Sequence, residues 1–387
     1  MLNYLPKILI DKALIIKSTL ITILSIQILI LSTLLFIKRE NRLTNSLLGF
    51  VLLFFGLTTI NFSLFQSLLQ EKLIKYIPYV RLELLYALGP VIYLYTLSVT
   101  NPEFKLRKIH YLIFLPALFE LIYYRTSFYR DGANFLDFNS QNPLQLLFTI
   151  QQWIGVIYST SFMCLSIYVL FKYKKWLHNN YSYTKNISLQ WIYIPIISFV
   201  VFWFVWFIIR LTDILFFSGK YSDVYYYPMY IILSVIALWI GFKGYVNSTN
   251  GTIGFNVILK PKEKIHNYSI SEYEQVAKKL KNKMLAEKYY LIQDLSLKVL
   301  SEKTGIQKDL LSRTINQHFK VNFHEFINRY RVEEFIKRIK IDKDKEFTFL
   351  AHAYDSGFAS KSSFNSIFKK QTQKTPNEYF FDLHRKK

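Results

Sequence analysis

Two short stretches near the end of the chain hold the residues best suited to chemistry. Gln307, Lys308, Ser312, Arg313 and Asn316 fall at helical spacing in one, and Ser360, Lys361, Ser362, Asn365, Lys369 and Lys370 in the other. On a helix, each set lies on the face away from Leu311 and Ile315, or from Phe364 and Phe368. Short amides and hydroxyls pair with base edges, and Lys and Arg hold phosphates, when a helix enters the major groove of a duplex. Asp309 is the one carboxylate on either face, so both faces suit a polyanion. Arg313, Lys361 and Asn365 are the expected base-contacting residues, and Lys308, Lys369 and Lys370 the expected phosphate anchors.

The two stretches are copies of one pattern, LSLKVLSEKTGIQKDLLSRTINQHF and FTFLAHAYDSGFASKSSFNSIFKK, set about 52 residues apart. Gly305-Ile306 matches Gly357-Phe358, and Leu311 and Ile315 match Phe364 and Phe368 after one extra residue. Each copy reads as helix, glycine turn, helix. Glycine supplies the positive φ of a sharp turn, and the apolar residue behind it fills the gap between the helices.

From Gln293 to Tyr379 the chain resembles the DNA-binding domain of AraC-type transcription regulators. The likeness is strongest in LAHAYDSGFASKSSFNSIFKKQTQKTPNEY, through Leu350, Ala351, Gly357, Phe358, Phe364, Phe368, Thr375-Pro376 and Tyr379. NFHEFINRYRVEEFIKRIK resembles the family's long central helix through Phe326, Ile327, Tyr330 and Arg331. The resemblance implies seven helices, two helix-turn-helix units joined by that central helix, and binding to double-stranded DNA. Four positions depart from the family pattern: Gln373 stands for the usual glycine, Phe335 and Ser301 for common alanines, and Ser366 for a frequent arginine.

The remainder of the chain is a different material. The 387 residues are 52% hydrophobic and 18% aromatic, yet carry a formal charge of +22. Divided after Val246, the halves are each net +11, but the second concentrates that excess in 141 residues. Seven stretches before the division are apolar on all sides for about the ~20 residues that cross a bilayer core. They run near residues 18–37, 46–69, 83–99, 109–124, 147–171, 189–211 and 226–245, the third and fourth interrupted by Gly89, Pro90 and Pro116. The expected fold is therefore all-α: a seven-helix transmembrane bundle over 1–246, a linker over 247–270, and a DNA-binding domain with its preceding helix over 271–387.

Alternate loops of that bundle carry ten basic and two acidic residues, and the opposite set eight and six. Lys and Arg stay on the cytoplasmic side of inner membranes, so the expectation is an outside N-terminus and a cytoplasmic C-terminus. Glu83, Glu120, Gln151, Gln152, Arg210 and Asp213 then fall near the outer helix ends. They would line a ligand pocket open to the outside, or anchor helix ends at the headgroups. Trp203, Trp206 and Tyr225 to Tyr227 read as lipid-facing or interfacial aromatics rather than a ligand cage. Cys164, the sole cysteine, excludes an internal disulfide and reads as a small residue buried in a helix.

Beyond the division, Ser271 and Glu274 form a capping-box pattern, and Tyr273, Val276, Leu280 and Met284 make one apolar stripe for the tail or a second subunit. The seven histidines are scattered without metal-ligand spacing, and there is no phosphate-cradling loop and no nucleophile elbow, so neither catalysis nor a cofactor is expected. The function read from the sequence is a membrane-integrated, one-component bacterial transcription regulator. It couples an unidentified ligand to promoter binding, with a homodimer supplying a second half-site. The alternative is a transporter whose tail regulates its own synthesis.

Overall fold

The computed structural model describes residues 5–66, 84–101, 103–122, 143–184, 187–217, 222–247, 268–341 and 347–385. The chain separates into two compact units: Met1–Phe171 with Leu189–Asn256, and Lys172–Ser188 with Val257–Lys387.

The first unit holds α1 (Leu5–Ile37), α2 (Arg42–Gln66), α3 (Leu85–Thr100), α4 (Lys108–Leu112), most of α5 (Pro143–Asn180), α6 (Gln190–Phe217) and α7 (Ser222–Asn247). Among the described residues five stretches are long and apolar enough to cross a membrane: Ile16–Ile37, Arg42–Ser63, Ile150–Asn180, Gln190–Phe217 and Tyr227–Asn247. The other two expected crossings are shorter. The third is the 16-residue α3. In place of the fourth, α4 ends in a turn at Ile113 and Phe114 before a new helical run over 115–122. Pro116 lies in the first turn of that run, where a missing N–H breaks no hydrogen bond.

Unlike a water-soluble helix, α1 is apolar on its outward face as well as its buried one. Its buried stripe repeats every seven residues, with Ser18, Ser25 and Ser32 alternating with Ile21, Ile28 and Leu35. The hydroxyls link α1 to α2. Thr22 Oγ1 meets Ser63 Oγ at 2.6 Å, Ser25 donates to Thr59 Oγ1 at 2.8 Å, and Ser32 donates to the Gly49 carbonyl at 2.8 Å. Close approach requires small residues, since a Cβ on Gly56 would lie 2.7 Å from Leu29. Ile16, Ile23, Ile26, Ile30 and Ile37 meanwhile face outward. Small polar residues inside and branched apolar ones outside are the arrangement that lipid selects.

One expectation for the first unit is corrected. Cys164 is exposed, because it lies on the outward face of α5 near Leu165 and Tyr168. Trp203 and Trp206 are half-buried and pack against each other at 5.4 Å, with Trp153 of α5 5.5 Å from Trp206, and Tyr227 is buried against Phe62.

The second unit contains α8 (Ile270–Glu287), α9 (Leu297–Thr304), α10 (Lys308–Arg313), α11 (Phe323–Ile341), α12 (Phe349–Asp355), α13 (Lys361–Thr372) and α14 (Pro376–Arg385). Six of them, α9 to α14, fall in the region that carries the family resemblance, and α8 precedes it. The capping box of α8 sits two residues earlier than expected. Ser269 Oγ accepts from Glu272 N at 3.2 Å, and Ser269 N donates to the Glu272 carboxylate at 2.7 Å. The sequence SISEYE offers two overlapping Ser-x-x-Glu patterns, and the earlier one adds two residues to the helix. Leu280 and Met284 of the α8 stripe are fully buried in the tail's own core, so the stripe is not a surface for a second subunit.

Candidate nucleic-acid interface

Each helix-turn-helix unit is assembled from the same local devices. Ser296 caps α9 by accepting from Val299 N at 3.2 Å, and Thr348 caps α12 by accepting from Ala351 N at 3.2 Å. The turns that follow place Gly305 at φ 63° and Gly357 at φ 90°, the left-handed region that the sequence demands of them. Ile306 and Phe358 are buried behind the turns, and Leu311, Ile315, Phe364 and Phe368 lie at the base of the second helices.

The two units have separate cores joined by α11. Phe323, Phe326 and Ile327 in its first half belong to the first core, and Val332 and Phe335 in its second half to the second. Phe335 is fully buried, with ring centroids 4.5 Å from Phe364, 5.5 Å from Phe368 and 6.0 Å from Phe380. The large side chain at this position is thus accommodated by an aromatic cluster. Ser301 donates to the Ile306 carbonyl at 2.6 Å and fastens the first turn.

The reading faces differ. In the first unit Gln307, Lys308 and Asn316 are exposed, while Ser312 and Arg313 are half-buried. Arg313 Nε donates to Asp309 Oδ2 at 2.9 Å, and its guanidinium lies 6.0 Å from the centre of the Tyr268 ring. The hydrogen bond to that carboxylate holds the Arg313 pKa above its ordinary value. Asn316 is folded back to donate to the Ser312 carbonyl at 2.8 Å, in a π-helical turn over Thr314–His318. In the second unit Lys361, Ser362, Asn365, Lys369 and Lys370 are all exposed along a 12-residue helix without a carboxylate. Ser360 serves as its N-cap, accepting from Ser363 N at 3.2 Å. The five exposed residues leave a continuous face that can meet bases and phosphates.

Three polar groups beneath these faces were not foreseen from the sequence. Glu334 is buried on α11, where desolvation raises its pKa but Lys288 and Arg338, with the hydrogen bonds from Lys288 and Tyr290, bring it below the ordinary value. Tyr290, hydrogen-bonded to it at 3.2 Å, is pushed up to about 12 by burial and by that carboxylate. Arg331 is buried, and loss of solvent pulls its pKa down to about 10, partly offset by Asp294. No spacing rule signals such a group, because its partners are carbonyls from distant segments.

Of the expected ligand residues, Glu83 and the side chain of Arg210 lie outside the described residues. Glu120 and Asp213 are buried, and Gln151 and Gln152 are half-buried. The Tyr86 hydroxyl donates to the main-chain carbonyl of Gln151 at 2.9 Å, and Tyr86 lies within electrostatic range of Glu120. An enclosed cavity of about 10 Å³ is lined instead by apolar side chains, among them Val51, Phe55, Ile92, Met163 and Phe199.

A family model described as a helix-turn-helix domain matches residues 300–381, which span α9 to α14 from within the first unit to the end of the second. No curated protein and no solved structure matches the chain. Residues 300–381 are an AraC-type helix-turn-helix domain, and the chain that carries it places several apolar helices of membrane-crossing character before it.

Proposed function

We propose that this chain is a membrane-integrated transcription regulator, with its amino terminus outside, its tail in the cytoplasm, and promoter DNA bound by α10 and α13 in successive major-groove segments. The observation that carries the reading is the coexistence in one chain of two opposite surfaces. On α1 Ile16, Ile23, Ile26, Ile30 and Ile37 point outward, while Ser18, Ser25 and Ser32 lie on the buried stripe, as suits a lipid solvent. On α13 the exposed face is cationic and free of carboxylates, as a phosphate backbone requires. Glu120, Gln151 and Tyr86 form the polar centre at which a signal molecule would act on the first unit. Dimerisation would place a second pair of reading helices on a second half-site.

Cross-linking in intact cells followed by membrane fractionation tests this directly. Specific DNA fragments should be recovered with the full chain from the membrane fraction. Recovery of the protein there without enriched DNA, or of the DNA only with soluble protein, would overturn the proposal. Protease or labelling access to Lys387 in sealed cells tests the orientation, which requires that residue to be protected.

A further inference from the structure

The segment 172–188, made of the last nine residues of α5 and most of the loop that leads to α6, belongs to the compact unit of the DNA-binding tail. Ser182 is fully enclosed in a polar socket there. Its N–H donates to the Leu295 carbonyl at 3.0 Å, its carbonyl accepts from Asn328 Nδ2 at 3.2 Å, and its hydroxyl accepts from Arg331 Nη2 at 3.1 Å. Tyr181 pairs with Ser296 in an antiparallel bridge, and the His178 ring lies 5.1 Å from that of His324. Arg331 also donates to the Tyr290, Ile292 and Gln293 carbonyls at 2.7, 2.6 and 3.0 Å. No carboxylate lies within ion-pair distance of it among the described residues. A buried guanidinium with only neutral acceptors depends on each of them, because a donor left unsatisfied in the interior is costly.

We propose that residues 172–188 are the input arm of the regulator: the seating of Ser182 on Asn328 and Arg331 sets the spacing of the two reading helices, and withdrawing it weakens DNA binding. Three features support this role. The arm is tethered at both ends to helices of the first unit, so any rearrangement of α5 or α6 displaces it; α5 runs unbroken from Pro143 to Asn180, two residues before the socket. The socket residues lie midway along α11, between the part that builds the first core and the part that builds the second. The seat is made of hydrogen bonds to backbone and hydroxyl groups, which water can replace, so it suits a reversible contact better than an apolar interface would. This deepens the proposed function and rests on it.

The test uses the full chain in lipid nanodiscs and mixed-sequence duplexes of about 12 and about 24 base pairs, which span one and two major-groove segments. Ser182→Pro removes the N–H and hydroxyl contacts, and Ser182→Ala removes only the hydroxyl. Affinity for the long duplex should fall at least fivefold with proline and by a smaller factor with alanine, while affinity for the short duplex stays within twofold. A role confined to holding the tail folded would weaken both duplexes together. In a Cys164→Ser background, Tyr181→Cys with Ser296→Cys, which also removes the α9 cap, should form a disulfide spontaneously and bind the long duplex more tightly than the same variant after reduction. The inference is overturned if the disulfide does not form, if the long-duplex affinity ignores both Ser182 substitutions, or if the two duplexes weaken in parallel. Absence of binding by the unmodified chain to either duplex would instead remove the proposed function beneath it.

Discussion

In the first helix-turn-helix unit the reading helix passes after six residues into a π-turn, and its Arg313 is drawn against Asp309 beside Tyr268. In the second it runs for twelve residues with Lys361, Asn365 and Lys369 exposed and no acid on the helix. The skeletons beneath are alike: a hydroxyl cap, a positive-φ glycine, a buried apolar plug and two apolar anchors. The difference teaches which positions the fold dictates. Core and turn positions repeat because packing and backbone geometry admit few residues, whereas solvent-facing positions are free to diverge in what they contact. A half-buried i, i+4 ion pair at the surface of a helix is weak, and a guanine edge offers a guanidinium two acceptors, so Arg313 can exchange Asp309 for DNA.

The comparison can be broken by attacking one unit at a time in the full chain and following hydrogen exchange in both. Phe335→Ala should have the largest effect, about 4 kcal/mol of lost protection confined to 349–380, because it empties the centre of the second core. Equal loss in 297–319 would show that the two cores are one cooperative body. Gly357→Ala should cost on the order of 3 kcal/mol, since the new Cβ would lie 2.5 Å from the Tyr290 carbonyl oxygen at φ 90°. Gly305→Ala should cost only about 1 kcal/mol, with φ 63° but nothing within 4 Å of the added atom.

Acidification should then act on the first unit. His324 is pushed down to about 4 by burial, and further by His178, Arg331 and Lys370. A histidine held neutral in the folded chain stabilises it fully above the unfolded value near 6.5 and loses that contribution as pH falls toward 4. Protection around 323–332 should therefore drop by about 2 kcal/mol between pH 7.5 and pH 5, and His324→Gln should flatten the dependence. The smallest effect is a gain. Gln373 ends α13 at φ 61°, so Gln373→Gly should stabilise the second unit by about 1 kcal/mol; a loss would mean that its side-chain bond to the Lys370 carbonyl outweighs the backbone strain.

The features legible in the sequence were those written in local pattern. The glycine turns, the buried anchors Leu311, Ile315, Phe364 and Phe368, and the apolar character of α1, α2, α5, α6 and α7 all follow from spacing. Local pattern failed where two solutions competed or where partners were remote. Ser269 took the cap assigned to Ser271 because both positions offer the same motif. The fourth apolar run breaks at Ile113 and Phe114, ahead of the proline that starts the next helix. Ser182 and Arg331 are 149 residues apart, and no periodicity links a loop serine to a helix arginine. Glu120 and Gln151 were singled out by their polarity, but Tyr86, which bonds the Gln151 main chain within electrostatic range of Glu120, was hidden among many tyrosines.

The central claim is that the tandem units hold duplex DNA through an exposed cationic face, and its most direct test is the salt dependence of binding. The full chain in nanodiscs is titrated with a duplex of about 24 base pairs between about 50 and 200 mM salt, beside the triple variant Lys308→Ala, Lys369→Ala, Lys370→Ala. The account predicts a steep linear fall of log affinity with log salt, and a slope shallower by about 2.7 in the variant, which loses three phosphate contacts at roughly 0.9 each. A folded chain whose binding is indifferent to salt, or whose slope is unchanged in the variant, would contradict it.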